Sequence, residues 1–218
     1  MTNELFKRII SSIILIPLVL FFIIKGDFLF NFFIFFCFLI TIYEWHLMSK
    51  SKNYYYFGII FLLFSFYTVY KLIDFNGNYI NFLFVTLICI STDIGGYIFG
   101  KIFKGAKLTK FSPNKTYAGM IGSFLLPLIS VKIFFNVSYL FPYGQEITKD
   151  IIIFVILISG TSQIGDIIVS SFKRLSKIKD TGRIIPGHGG ILDRIDGMIF
   201  AFPFAYIILA SNILYTIK

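Results

Sequence analysis

Charge is scarce in this sequence. Only 14% of its 218 residues are charged, against 57% that are hydrophobic, whereas a soluble domain carries about 25% charged residues and about 45–50% apolar ones. Mean hydropathy is +0.83. Regular apolar–polar alternation is also missing, which argues against a membrane β-barrel, whose strands alternate over about ten residues. Cysteine is limited to Cys37 and Cys89, both inside apolar runs and without metal-ligand spacing, so they read as small buried hydrophobes. There is no internal repeat, no low-complexity linker and no stretch with a soluble domain's composition. The basic run Lys7-Arg8 precedes an apolar stretch with no small-residue cleavage pattern after it, so the reading is a retained anchor.

What is present is long apolar runs. Seven stand out, at 9–24, 28–43, 54–70, 80–99, 118–135, 151–172 and 191–217, most of them near the ~17–20 residues a helix needs to cross a ~30 Å hydrocarbon layer. The expected fold is therefore all-α: a polytopic transmembrane helical bundle of about seven spans. Residues 1–75 read as membrane hairpins that pack and support. Residues 76–218 read as the part of the same integral membrane domain that carries nearly all the unusual chemistry.

The net charge is +9. Nucleic acid is not the implied partner, because Lys and Arg gather in cytoplasmic loops of membrane proteins. With the N-terminus in the cytoplasm and seven spans, only Lys25, Lys71, Lys132, Lys149 and Lys218 of the 20 basic residues fall on the far side. That asymmetry supports both the span count and a cytoplasmic N-terminus.

Four carboxylates break the apolar pattern. A charge near the bilayer core costs ~2.5–3.5 kcal/mol or more, so such a group calls for a function. Asp93 precedes Lys101, and Asp166 precedes Lys173, by nearly the same interval, while Asp193 and Asp196 open a span leaving the same face. All four are expected at one depth, in the cytoplasmic half. Asp193 and Asp196 are spaced to share a helix face, and Asp166 can join them from the preceding span. Such a set suits Mg²⁺, which takes one or two carboxylates plus phosphate oxygens. Ion pairing or helix capping is the ordinary alternative for each.

Around these acids lie three further constellations. Ser112-Pro113-Asn114-Lys115-Thr116 combines a turn with two potential helix caps and a lysine at a helix N-terminus, where N–H groups attract anions. Gly95, Gly96 and Gly100 permit close helix approach, which leaves Asp93 unexplained. Pro186-Gly187-His188-Gly189-Gly190 is a loop whose backbone N–H groups can face phosphate; His188 is a phosphate donor, a proton-transfer group or a plain loop histidine. His46, after Glu44-Trp45, reads as part of an interfacial belt.

Taken together, these residues resemble a known family. Ser171-Phe172-Lys173-Arg174, Lys179-Asp180, Pro186-Gly187-His188-Gly189-Gly190 and Asp193-Arg194-Ile195-Asp196 are similar, without a gap, to the signature of phosphatidate cytidylyltransferases, the CDP-diacylglycerol synthases. Gln163-Ile164-Gly165-Asp166 resembles the family's Gln-x-Gly-Asp element, and Asp93 to Lys101 its Asp-x-x-(Ala/Gly)-Tyr-x-x-Gly-(Arg/Lys) element. Ser112 to Gly119 resembles Ser-Pro-Lys-Lys-Thr-Trp-Glu-Gly, with Tyr117-Ala118 in place of Trp-Glu, so a carboxylate common there is absent. The resemblance covers residues 90–200 well and the N-terminal third only by hydropathy. The chain is also shorter than typical members, which suggests a pared N-terminal region.

The resemblance implies transfer of CMP from CTP to phosphatidate, giving CDP-diacylglycerol and pyrophosphate, at a site facing the cytoplasm from the cell (inner) membrane. It implies Mg²⁺ on Asp166 and Asp193, with Asp196 and Asp93 in support or on a second cation. Lys173, Arg174, Lys179, Arg194 and Lys115 would hold phosphates, and His188 would contact CTP phosphate or the nucleophile. Ser112, Asn114, Thr116, Gly187, Gly189 and Gly190 complete the expected substrate contacts. A homodimer is also implied. The alternatives are a cytidylyltransferase for another lipid phosphate and, in a different class, an ion-coupled transporter. A CDP-alcohol phosphotransferase is disfavoured: Asp196-Gly197 runs into Met198-Ile199-Phe200, not Asp-Gly-x-x-Ala-Arg.

Overall fold

The computed structural model describes residues 13–14, 17–19, 21–23, 25–74, 79–108, 115–137, 147–187 and 189–211. Over these residues the chain is all-α. The helices are α1 (Asp27–Ser49), α2 (Tyr55–Asp74), α3 (Ile80–Phe103), α4 (Tyr117–Val137), α5 (Lys149–Leu175), α6 (Leu192–Ile195) and α7 (Met198–Ala210). Among the described residues the only extended pairings are single bridges, Lys107 with Thr116 and Ile185 with Gly189. Five helices, α1 to α5, are long and apolar enough to cross a membrane. Their outer surfaces carry exposed apolar side chains, such as Phe32, Phe35, Phe36 and Leu39 on α1 and Ile121, Leu125 and Ile129 on α4. So much outward hydrocarbon suits lipid rather than water, and a helix satisfies its backbone groups internally, as lipid requires. The chain is an integral membrane protein.

Five of the apolar runs thus became helices, most of them extended past the last apolar residue. The first, 9–24, lies largely outside the described residues. The last, 191–217, departs from expectation. It is not one helix from its start: α6 ends at Ile195, a turn follows at Asp196-Gly197, and α7 resumes at Met198. At this turn the backbone comes close to α5: a Cβ on Gly197 would collide with the Ser162 hydroxyl and carbonyl. With 13 residues, α7 is about 20 Å long at 1.5 Å per residue, and residues 212–218 are outside the description.

By compactness the chain divides into two units, Met1–Phe66 with Phe172–Ile195, and Tyr67–Ser171 with Asp196–Lys218. The division at about residue 75 expected from sequence was drawn by expected role and does not coincide with these units. In the second unit α3 and α4 pack backbone to backbone. A Cβ on Gly95 would strike the Gly122 carbonyl, and one on Gly119 would strike the Gly96 carbonyl, so the glycines serve the close approach their spacing predicts. Phe82 stacks on Phe202 at 5.4 Å and Phe84 on Phe154 at 5.8 Å, closing a core with Val85, Ile88 and Val155.

In the first unit, the corner between α1 and α2 is built on Trp45. Its Nε1 donates to the Tyr55 carbonyl at 3.1 Å, and its ring meets Tyr54 and Phe172. Gly58 lies under the indole, where a Cβ would enter the ring. The Tyr54 hydroxyl also bonds the Ser176 hydroxyl at 2.9 Å. The interfacial-belt reading is therefore corrected for Glu44 and Trp45: both are buried in protein. His46 alone is exposed, with Nδ1 against the Tyr55 hydroxyl at 2.9 Å.

Candidate active site

The signature region folds within the first unit as a loop hung from the end of α5. The helix stops where Lys177 adopts φ 58°, and the chain turns back through Ile178 N–H to Lys173 O at 3.0 Å. The Arg174 guanidinium donates to the Ile178 carbonyl at 3.2 Å. Residues 181–190 then form a narrow excursion. Ile185 and Gly189 exchange backbone hydrogen bonds of 2.9 and 3.1 Å, pinching a turn in which Gly187 has φ 76° and Gly189 φ 87°. Side chains with a Cβ rarely adopt that conformation, which accounts for glycine at both positions.

Two carboxylates tie the base of this loop. Asp193 accepts from the Lys173 ammonium at 2.9 Å through Oδ1, and from the Thr181 and Gly190 N–H groups at 2.8 and 2.9 Å through Oδ2. Burial pushes the Asp193 carboxyl up. The Gly190 N–H, the Lys173 ammonium and the Thr181 N–H together outweigh that push and hold it below its ordinary value. The pair is well enclosed, with 10% of the Lys173 side chain and 4% of Asp193 accessible. The second carboxylate is Glu44 of α1, which accepts from the Ile191 and Leu192 N–H groups and the Thr181 hydroxyl. Sequence reasoning missed Glu44 and Thr181. One signal was available for Glu44: it is an acid at the end of an apolar run with no Lys or Arg within four residues.

Exposed residues of the loop include Arg174, Lys177, Lys179, Asp180, Arg183, Ile184, Pro186 and Gly187, and Arg194 is exposed on α6. Gly190 is buried, and Gly189 is partly exposed. His188 lies outside the described residues, as do Ser112 and Asn114.

The second unit brings Lys115 and Asp166 together as an ion pair, each side chain 26% accessible. Ser170 donates to Asp166 Oδ1 at 3.2 Å. Lys115 is held by local geometry: its carbonyl accepts from Leu108 N–H at 2.7 Å, and the next residue, Thr116, caps α4 by accepting from Gly119 N–H at 3.1 Å. The capping expected of Thr116 is thus realised. Asp196 is buried in the turn before α7 and accepts from Gly197 N–H at 3.0 Å, and Asp93 is exposed on α3. Because α6 ends at Ile195, Asp193 and Asp196 do not share one helix face.

Among the described residues no three of His, Cys, Asp and Glu gather around one point. Magnesium asks for less, since water and substrate phosphate fill most of its positions. Asp166 fits that requirement: it is partly accessible, and its contacts with Ser170 and Lys115 leave acceptor capacity on a carboxylate with about four lone-pair sites.

The arrangement defines a class: a helical membrane protein carrying a basic, glycine-rich loop stapled by buried acids. Residues 6–75 and 55–212 match the model described as the cytidylyltransferase family, and the chain belongs to that family. It is 35% identical over 213 residues to the phosphatidate cytidylyltransferase of Rickettsia bellii, covering 94% of this chain and 91% of that protein. The Bacillus subtilis phosphatidate cytidylyltransferase is 39% identical over 134 residues, 60% of this chain and 48% of the relative. That of Staphylococcus haemolyticus is 42% identical over 130 residues, 58% and 48%. The match thus spans about half the length of the Bacillus and Staphylococcus relatives and nearly all of the Rickettsia one.

Proposed function

We propose that this chain transfers CMP from CTP to phosphatidate, releasing pyrophosphate and leaving CDP-diacylglycerol in the membrane. The observation that carries the reading is the folded signature loop. Lys173, Gly190 and Asp193, all drawn from the motif, form its buried base, while Arg174, Lys179, Arg183 and Arg194 stay exposed. Exposed cations clustered on a loop whose base is fixed suit a polyphosphate. The near-full-length likeness to a protein named phosphatidate cytidylyltransferase supports the same substrates.

In this reading a phosphatidate phosphate oxygen attacks the α-phosphorus of CTP. The new O–P bond forms as the bond to the bridging oxygen breaks, and that oxygen leaves with pyrophosphate. A phosphate nucleophile is largely ionised at neutral pH, so no strong general base is required, and His188 is assigned phosphate contact. Arg174, Lys179, Arg194 and Lys115 neutralise phosphate charge. The proposed magnesium ligands are Asp166 and Asp193, with Asp93 and Asp196 in support or on a second cation. When bound, magnesium would neutralise charge on the transferring and leaving groups.

The proposal extends to topology and assembly. Seven spans with the N-terminus and the site on the cytoplasmic face follow from the Lys and Arg asymmetry, and a homodimer follows from the family likeness. The direct test incubates purified protein with labelled CTP, Mg²⁺ and phosphatidate, beside other lipid phosphates as comparison acceptors. Label in a CDP-linked lipid from phosphatidate is the expected result. Absence of any lipid-linked label from active, folded protein would refute it.

A further inference from the structure

Glu44 is fully enclosed, with a relative accessibility of 1%. A carboxylate taken out of water needs donors in return. Among the described residues none comes from Lys or Arg. All three come from the signature loop: the Ile191 N–H at 3.0 Å to Oε1, and the Leu192 N–H at 2.8 Å and the Thr181 hydroxyl at 3.1 Å to Oε2. Two glycines fit around the same group. A Cβ on Gly182 or on Gly190 would run into the Glu44 carboxylate. Both limbs of the loop, 181–182 and 190–192, are therefore gauged against one acid. Asp193 spans the same limbs through the Thr181 and Gly190 N–H groups, but Asp193 belongs to the motif. Glu44 comes from α1, far outside it.

We propose that Glu44 is a positioning residue for the transfer reaction: it sets the separation of the two limbs, so that the loop's exposed cations meet the CTP phosphates preorganised. The inference rests on the nucleotidyltransferase reading of the loop. Glu44 touches no substrate; it acts through Thr181, Ile191 and Leu192. Preorganised donors are the ones that count in catalysis, because they cost nothing to reorient during reaction.

The discriminating variant is Glu44→Gln. It keeps the volume but turns one acceptor oxygen into an NH₂ donor that faces N–H or O–H groups. Glu44→Asp keeps both acceptors on a shorter stem and serves as the rescue. The first readout needs no catalysis. Limited trypsin digestion of the full chain in detergent compares cleavage after Arg183, in the loop, with cleavage after Lys107, both exposed. In Glu44→Gln, cleavage after Arg183 should rise by about tenfold or more, the factor carried by a lost hydrogen bond to a charged group. Cleavage after Lys107 should not change, and Glu44→Asp should fall between.

The second readout is kinetic. The KM for CTP should rise by about tenfold in Glu44→Gln, while the KM for phosphatidate stays near the parent value. A general folding defect would instead lower the active fraction, and so apparent kcat, without moving KM. Wild-type behaviour of Glu44→Gln in both readouts would overturn the proposal, as would equal increases in cleavage at both sites with an unchanged KM. If the parent protein itself turns over no CTP, the transfer reading falls and takes the catalytic role with it. The trypsin pattern then still reports, independently, whether Glu44 holds the loop.

Discussion

Replacing Lys173 with Met removes the cation from the enclosed pair with Asp193 while keeping most of the side chain's apolar stem. Breaking a buried ion pair costs about 3–5 kcal/mol when the remaining charge is left uncompensated. Asp193 is not left so. It keeps the Thr181 and Gly190 N–H groups on Oδ2, and the loss falls toward that of one charged hydrogen bond, about 1.5–3 kcal/mol. At 1.4 kcal/mol per factor of ten, the base of the loop should open about 10–150 times more often. Hydrogen exchange followed by mass spectrometry reads this directly, because the Thr181 and Gly190 amides are themselves the reporters. Their exchange should accelerate by that factor in Lys173→Met and remain as in the parent in Lys50→Met, a change at an exposed position. CTP transfer should fall with the loss of protection. Unchanged protection together with lost transfer would refute the reasoning: Lys173 would then be spending its charge on substrate and not on the shape of the loop.

Acid should loosen the same base. The folded Asp193 carboxyl is held below its ordinary value, so its stabilising contribution is complete above the unfolded value of about 3.9 and is lost as pH falls through the folded value. The melting temperature in detergent should therefore carry the full contribution of this group, with no pH dependence from it, between pH 7 and 5 and fall below about pH 4, and Asp193→Asn should lose that part of the acid limb; an identical limb in both proteins would contradict the assignment. Gly95→Ala forces a Cβ onto the Gly122 carbonyl, whereas the nearest group to a Cβ at Gly160 is the Phe124 ring at 3.7 Å. The first should cost about 1–3 kcal/mol as overpacking and the second much less, measured as melting temperature. Chelation with EDTA should stop label transfer and added Mg²⁺ restore it; turnover persisting in chelator would remove the metal from the scheme. Asp166→Asn and Asp193→Asn should each abolish transfer while the protein still inserts.

The helical membrane fold was legible because hydropathy reports on lipid contact residue by residue. Runs at 28–43 and 80–99 mark α1 and α3, but the helices continue to Ser49 and Phe103, past residues that a hydropathy window reads as a boundary. Glu44 ended a run in sequence; in the structure it is buried against protein and the helix passes through it. Its partners lie 147 and 148 positions away, and no local pattern encodes such a contact. The close approach at Gly197 was equally hidden, since it is made to Ser162 on another helix. The motif glycines were legible in the sequence as turn residues, but Gly182 and Gly190 make room for the Glu44 carboxylate, a reason visible only in three dimensions.

The reach of Glu44 has a consequence for how the chain is made. α1 leaves the ribosome some 150 residues before Ile191 and Leu192, about 7–30 s earlier at 5–20 residues per second. Through that interval the Glu44 carboxylate has none of its final donors and must be met by water at the membrane surface. The signature loop, in turn, can take its final shape only once residues 191 and 192 have followed α1 out of the ribosome. Nascent chains thus remain without a Glu44-stapled loop until that segment has been made.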